Sequence, residues 1–510
     1  MSGRAATTTL IRGRAALSVG SPEEDAPTGW VWTSLYDVSE LGTGHTPSRS
    51  VPSYWDGDVP WIGIRDAAQH HGGLIRTTQQ TITEAGLENS SARLLPAGTV
   101  CLSRTASVGY VVQMDRPMAT SQDFVTWTCF EEGLEPRFLM YALLAEGDDI
   151  RRFGKGTTHT TIYFPEVKAF HICLPPLAEQ RRIVEKLDDL TACTARARAD
   201  LDRISDLAAR YKQAVLAKAF SGELTAEWRA SHSQAAATVR EQDQARRLAW
   251  ESLPKRRGKY EAAETADWVP EQLELPGTWR WASVDELTSL LQYGSSAKTS
   301  DEPAVPVLRM GNIVEGQLDY GKLKYLPEDH EEFPDLLLQD GDLLFNRTNS
   351  PELVGKTAVF RGGGGSMSFA SYLIRLKSVS YLPELLSAYI NSSFGRSWVA
   401  TATSQQVGQA NVNGTKLRGL GVPLMPFDEQ LLIWKRIRAA FVEIDRLVAE
   451  AAAARRLLDR LDQAILAKAF RGELVPQDPA DEPASVLLDR IRAERAAAPK
   501  ARRGRKAVAA

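Results

Sequence analysis

Few residues in this chain have the types and spacing that covalent chemistry needs. Gly355-Lys356-Thr357 has the ending of a phosphate-cradling loop. That loop requires a glycine at position 350, where Ser350 stands, and a helix directly afterwards. Gly362 to Gly365 is a run of glycines without the strand-then-helix setting of a dinucleotide site, so it reads as a loose loop. The seven histidines are scattered, and His70-His71 has no partner at metal-ligand spacing. The four cysteines (Cys101, Cys129, Cys173, Cys193) make no Cys-x-x-Cys pair, and reduced thiols in a cytoplasmic protein fit them best. No Ser/His/Asp arrangement, helicase motif or Asn/Asp-Pro-Pro-aromatic methyltransferase motif is present. The expectation is a chain that is not an enzyme, with no cofactor and no metal of its own. What it offers instead is hydrogen-bonding side chains gathered in loops, and other elements must position them.

Those elements come in two copies. Gln213-Ala214-Val215-Leu216-Ala217-Lys218-Ala219-Phe220-Ser221-Gly222-Glu223-Leu224 returns as Gln463-Ala464-Ile465-Leu466-Ala467-Lys468-Ala469-Phe470-Arg471-Gly472-Glu473-Leu474, an offset of 250 residues with ten of twelve positions identical. An internal repeat governs any fold reading. Going backwards at that offset, Pro176-Leu177-Ala178-Glu179-Gln180 meets Pro426-Phe427-Asp428-Glu429-Gln430, and His159 meets Gln409. No insertion interrupts the register, and one would rotate a helix face by about 100° per residue.

The register protects an apolar seam spaced 4-3-4-3. In copy one it is Ile183, Leu187, Leu190, Thr194, Ala197, Leu201, Ile204, Ala208, Tyr211 and Val215. In copy two it is Ile433, Ile437, Ala440, Ile444, Leu447, Ala451, Ala454, Leu458, Leu461 and Ile465. Pro176 and Pro426 suit helix starts, and Gly222 and Gly472 suit left-handed helix ends. Equal length and matched seams predict that the helices pack on each other. A whole domain separates them in sequence, so the pairing should be antiparallel. The alternative is two surface helices on separate bundles.

The expected organisation is a disordered tail over 1–28, a first globular domain over 29–175, a long helix over 176–224 and a connector with a charged helix over 225–276. A second globular domain over 277–425, a second long helix over 426–474 and a C-terminal helix with a basic tail over 475–510 complete it. β-rich runs appear at 59–64, 99–103, 110–113, 124–130 and 169–174, with a short helix near 138–144. The second domain repeats the plan: Pro60 to Asp66 parallels Pro306 to Asn312, and Ala97 to Thr105 parallels Asp340 to Thr348. Val108-Gly109-Tyr110 parallels Val354-Gly355-Lys356, which puts the tempting Gly-Lys-Thr in a strand. The fold class is therefore α+β: two β-rich domains joined by two long helices forming an antiparallel coiled coil, with a pseudo-two-fold repeat. Composition is that of an ordinary soluble chain, 43% hydrophobic and 25% charged. The net charge of −3 confines any nucleic-acid binding to local patches. No apolar run approaches the roughly 18 residues of a membrane span.

Two similar domains on paired rods make a ruler, and duplex DNA is the natural periodic object to measure, because half-site spacing is a geometric quantity. The order of domain, Pro-Leu-Ala-Glu-Gln-type helix start, long helix and Ala-Phe-Ser-Gly-Glu-Leu-type end, given twice, resembles the DNA-specificity subunit of type I restriction-modification systems. The resemblance covers about residues 29–475. It implies two target-recognition domains, each reading one half of a split double-stranded DNA site, with helices that set the unread spacer. It implies two methyltransferase subunits as partners, which hold the S-adenosylmethionine, and restriction/translocase subunits that join them. The alternatives are a coiled-coil adaptor that binds no DNA, or a nuclease with an unrecognised site.

Features shared by both domains suit phosphate contact or folding, and features that differ suit base reading. Arg104 and Arg347 follow matched strands and read as either phosphate contacts or buried structural arginines. Arg65 and Arg309, in the paralleled segments, join them as candidates, as does Asn346 beside Arg347. The resemblance assigns DNA approach to the polar loop before each register block. That gives Lys155, Thr157, Thr158 and His159 in copy one, and Gln405, Gln406, Gln409, Asn411 and Asn413 in copy two. Gln and Asn suit the adenine edge. The hairpin tips add Thr105, Ser107 and Asn349. The plain alternative for each is an ordinary polar loop residue. The two loops have little in common, so the expected target is asymmetric.

Overall fold

Both long helices are present in the computed structural model. The first runs Leu177–Phe220 (44 residues) and the second Phe427–Ala469 (43 residues). The prolines before them lack an N–H that the first turn could not use. Gly222 and Gly472, at φ +82° and +71°, turn the chain out in the left-handed region that side chains avoid. The described residues are 10–497, apart from 24, 106, 156–159, 255–257, 363–365 and 407–408. The fold is α+β, and the chain divides into two compact units. The first is Met1–Leu201 with Ala453–Ala510, and the second is Asp202–Ala452. Each unit thus holds one globular domain, part of the helix that follows it, and part of the other helix. This differs from the linear list of domains drawn from sequence.

In the first unit a five-stranded sheet runs in the order 39–43, 124–129, 100–103, 111–114, 74–75. A three-stranded sheet of 119–120, 55–62 and 80–82 lies beside it in the topology. The helix Pro136–Glu146 covers the larger sheet. Val125, Trp127 and Phe138 form one core with Ile183 and Leu187 of the first helix and with Ala469 and Phe470 of the second. Phe138 and Phe470 meet with ring centroids 5.2 Å apart.

The tail expected to be disordered is partly built in. Ile11–Arg12 and Leu17–Val19 are strands, and the second pairs antiparallel with Phe170–Leu174. Ala16, Leu17 and Val19 are buried there. Glu146 accepts the backbone N–H groups of Arg14, Ala15, Ala16 and Leu17, the last three at 3.2 Å. Burial raises the pKa of this carboxyl, and the amides oppose the shift.

In the second unit the matching sheet runs 288–293, 373–378, 343–346, 357–359, and the matching small sheet is 324–326, 305–308, 368–369. The internal parallel holds at the level of hydrogen bonds. Trp61–Ile62 pairs parallel with Ala119–Thr120, and Val307–Leu308 pairs parallel with Ser368–Phe369. Asp66 accepts the Gly63 N–H at 2.9 Å, and Asn312 accepts the Arg309 N–H at 2.9 Å. Thr357–Val359 after Gly355-Lys356 is a strand, which removes the phosphate-loop reading.

The glutamine of each helix start has a defined job. Gln180 is buried; it accepts the Glu135 N–H at 2.8 Å and donates to the Pro175 carbonyl at 3.0 Å. Gln430 accepts the Leu382 N–H at 2.9 Å and donates to the Met425 carbonyl at 3.0 Å. Glu135 and Leu382 are the N-caps of matched helices, so each glutamine satisfies a donor that a helix start leaves free. The neighbouring glutamates diverge. Glu429 accepts from Trp279 (2.8 Å), Thr225 (2.6 Å) and Arg229 (2.6 Å). Glu179, equally buried, keeps one oxygen without a close hydrogen-bond partner; burial raises its pKa, and Trp30, Arg182 and Gln477 oppose the shift.

Within each unit the helix segments run antiparallel. In the first, Arg182 reaches Asp481 at 2.6 Å, whereas Arg198 reaches Asp459 at 2.9 Å and Asp462 at 2.7 Å. In the second, Lys212 reaches Asp445 at 2.6 Å, and Arg436 reaches the Leu224 carbonyl. Most of the expected seam is buried or half-buried, but Tyr211, Leu447 and Leu461 are exposed. A helix drifts about 20° per heptad against a strict seven-residue repeat, so the facing line passes to neighbours. Lys212, beside Tyr211, lies 5.4 Å over the Phe441 ring.

The sequence reading did not relate the connector helix Val239–Glu251 to the C-terminal helix Ala484–Ala497. They do similar work in their own units. Arg246 donates to the Thr288 carbonyl at 3.0 Å and to Asp285 at 3.2 Å; Arg495 donates to the Tyr36 and Asp37 carbonyls at 2.7 and 3.2 Å.

Candidate nucleic-acid interface

In the first unit Arg104 ends the strand Val100–Ser103 and its backbone N–H donates to the Asp123 carbonyl at 2.8 Å. Its guanidinium lies 4.9 Å over the Phe164 ring and donates to the Gln122 carbonyl at 3.1 Å. Burial lowers its pKa and Asp123 opposes this; an arginine stays charged regardless. Thr105 donates to Asp123 at 2.6 Å, and Ser107 is exposed at the tip. The polar loop closes onto this corner. Lys155 and Thr161 exchange backbone hydrogen bonds at 3.0 Å, and the Ile162 N–H reaches the Arg104 carbonyl at 2.9 Å.

The second unit repeats the frame with other side chains. The Arg347 N–H donates to the Tyr372 carbonyl at 3.0 Å, and the Val412 N–H reaches the Arg347 carbonyl at 2.9 Å. Its guanidinium lies 4.9 Å over the Tyr293 ring and 3.4 Å from the Asn411 side-chain oxygen. Here the polar loop is a hairpin. Ser404–Gln406 pairs with Gln409–Asn411, which pairs in turn with the hairpin tip Thr348–Asn349. One three-stranded sheet therefore joins Asn349, Gln405, Gln406, Gln409 and Asn411, two groups that the sequence offered separately.

The arginines stand between the two sequence alternatives. Each is half-buried on an aromatic ring, with its Nε buried and unpartnered. The structure gives other candidates defined local surroundings. Asn346 is buried and its amide faces the Leu353 carbonyl, because its strand position points inward, so it braces the hairpin instead of facing solvent. Lys155 pairs with the buried Glu166 at 2.8 Å, so part of its charge is already used within the unit. Asn413 caps the helix Gly414–Arg418 through the Lys416 N–H at 2.8 Å. Arg309 donates to the Lys322 carbonyl at 3.2 Å beside its capping turn. Arg65 is exposed on the helix Ile64–Gln69 and does not occupy the place of Arg309. Thr157, Thr158 and His159 lie outside the described residues.

Sequence reasoning missed the residues that organise the corner: Gln122, Asp123, Phe164 and Tyr293. They come from elements that no sequence signal places beside Arg104 and Arg347. Among the described residues no group of His, Cys, Asp or Glu could hold a metal, and no helix is long and apolar enough to cross a membrane. Each arginine corner offers a fixed cation beside a variable polar loop, an arrangement suited to a phosphate next to readable base edges.

Comparison with known proteins bears on the chain as a whole. Residues 27–205 match the model of the type I restriction modification DNA specificity domain. The chain is 27% identical over 495 residues to the type I restriction enzyme EcoKI specificity subunit of Escherichia coli K12, covering 92% of this chain and 96% of that one. Similarity to the StySPI specificity subunit of Salmonella potsdam is also 27%, over 488 residues, with the same coverage. Among solved structures, the HsdS subunit from Thermoanaerobacter tengcongensis has a TM-score of 0.51 at 20% identity, covering 89% of this chain and 99% of that one. A chain from work on assembly and conformational transition of the type I R-M system has a TM-score of 0.60 at 19% identity, covering 88% and 100%. These two likenesses concern the fold.

Proposed function

We infer that this chain, which belongs to the family of type I restriction-modification DNA-specificity subunits, works by reading two different half-sites of one double-stranded DNA target. Its role is DNA target recognition in a type I restriction-modification system, and it is a non-catalytic subunit. In the finer reading, the corner around Arg104 and the loop 154–161 serve one half of the target. The corner around Arg347 and the hairpin 404–411 serve the other. The long helices, packed as an antiparallel coiled coil, set the unread spacer and carry two methyltransferase subunits. Those partners hold S-adenosylmethionine, and restriction/translocase subunits join them in the cytoplasm.

One observation supports this reading best. The backbone frames around Arg104 and Arg347 match bond for bond, while the side chains hung on them differ. A common frame suits a common duplex backbone, and unlike side chains suit unlike bases. The test is single-molecule sequencing of DNA methylated by the chain with its methyltransferase, using wild type and a Gln405→Ala/Gln406→Ala/Gln409→Ala variant. The expected result is a motif relaxed in one half and kept in the other. An unchanged motif removes the hairpin from the reading surface.

A further inference from the structure

A second pair of matched loops lies beside the two arginine corners, and it carries cations that the recognition reading leaves unused. In the first unit the loop from Gly44 to Ser50 leaves the five-stranded sheet. In the second unit its match runs from Gly294 to Ser300. The His45 N–H donates to the Thr120 carbonyl at 2.9 Å, and the Ser295 N–H donates to the Phe369 carbonyl at 2.9 Å. A Cβ on Gly44 would strike the Thr120 and Ser121 carbonyls, and one on Gly294 would strike those of Phe369 and Ala370. The two loops therefore start from the same tight approach.

Each loop is joined to its arginine corner. Thr46 hydrogen-bonds the Gln122 side chain, and the Gln122 carbonyl takes the Arg104 guanidinium at 3.1 Å. In the second unit the Ser371 N–H donates to the Ser295 carbonyl at 2.7 Å, and the next residue, Tyr372, accepts the Arg347 N–H.

The first loop holds its cation in place. Two indoles pin the loop backbone: Trp61 Nε1 donates to the His45 carbonyl at 3.1 Å and Trp55 Nε1 to the Ser48 carbonyl at 3.2 Å. The Arg49 guanidinium lies 5.0 Å from the Trp55 ring centroid and 5.9 Å from that of Trp61, and donates to Gln80 at 3.3 Å. One face of Arg49 rests on indole, while the residue as a whole is exposed. Holding a guanidinium in this way lowers the ordering cost of a charge-assisted hydrogen bond. The second loop carries Lys298, also exposed. An ammonium is a point charge without a planar fork, and Lys298 stands four residues after Gly294 where Arg49 stands five after Gly44, so the two cations share sign and loop but not base-reading geometry.

We propose that Arg49 and Lys298 are DNA-backbone contacts: each clamps a phosphate next to its half-site and positions the reading corner without specifying bases. This rests on the DNA-recognition reading above. The experiment uses the full chain assembled with its methyltransferase, and measures duplex binding across a salt series for wild type, Arg49→Ala, Arg49→Lys and Lys298→Ala. The methylated motif and the melting temperature are recorded for each.

Each alanine variant should lower affinity on the order of ten-fold at low salt. Each should also flatten the log-affinity against log-salt slope by about 0.9, with the motif unchanged. Arg49→Lys should restore most of the slope. An unchanged slope and affinity in both alanine variants, beside a wild type that methylates a two-part motif, overturns the proposal alone. A motif relaxed at one base also overturns it, because the residue would then be a base reader. A wild type that methylates no two-part motif removes the recognition reading itself. Arg49→Ala could disturb the two tryptophans, but Lys298 touches no such packing and keeps the test decisive.

Discussion

Ile162 donates its backbone N–H to the carbonyl of Arg104 at 2.9 Å, closing the polar loop onto the strand end that carries the guanidinium. Val412 makes the same bond to Arg347 at the same length, one repeat later. In the proposed reading, this bond couples the repeat to recognition. It fixes where each of two unlike loops stands relative to an arginine that both halves share, so the loops differ in chemistry on one frame.

The hairpin 404–411 predicts a half-specific phenotype. Converting Gln405, Gln406 and Gln409 to alanine should relax one half of the methylated motif. Amides that pair with adenine edges contribute about 1–3 kcal/mol of discrimination each. Methylome sequencing checks this, and retention of both halves would contradict the assignment.

Gln180 and Gln430 predict matched stability losses. Replacing either with alanine strands a buried helix-cap N–H and a buried carbonyl, at a cost of about 1–3 kcal/mol. That corresponds to a fall of roughly 2–10 °C in melting temperature. Scanning calorimetry of the two variants checks it. A shift within about 1 °C for both would mean that water replaces the amide fully.

Glu146 predicts a pH dependence of unusual sign. Burial raises this carboxyl in the folded state, so folding favours its protonated form. Its stabilisation is present below the ordinary carboxylate value, about 4.3, and is lost as pH rises through the raised folded value. The melting temperature of wild type relative to Glu146→Gln should therefore be highest near the acid end and fall toward neutral pH. A difference that grows with pH would show that the four amides outweigh burial.

The helices predict a spacer effect. Deleting seven residues from the first long helix removes about 10 Å of rise and keeps the seam in register. Methylation should be lost, or the unread spacer should change length. Activity with the original spacer would sink the ruler.

The doubling made much of this fold legible. Helix ends marked by proline and glycine, and strands aligned by offset, need only local signals. What stayed hidden depends on distant partners. Leu17–Val19 is three residues long and gains its strand identity from Phe170–Leu174, far along the chain. Arg246 and Arg495 do alike work from helices with little common sequence. Asn346 is a candidate by type and by its place beside Arg347, and only the fold shows that its strand position is buried. In the candidate interface, residue types named the loops, whereas the stacking of Arg104 on Phe164 and Arg347 on Tyr293 required the fold.

The most direct test is the methylation motif written by this chain with its methyltransferase on unmodified DNA. The account predicts two unlike specified half-sites around an unspecified stretch of constant length. A single continuous site, two identical half-sites, or methylation without sequence preference would contradict it.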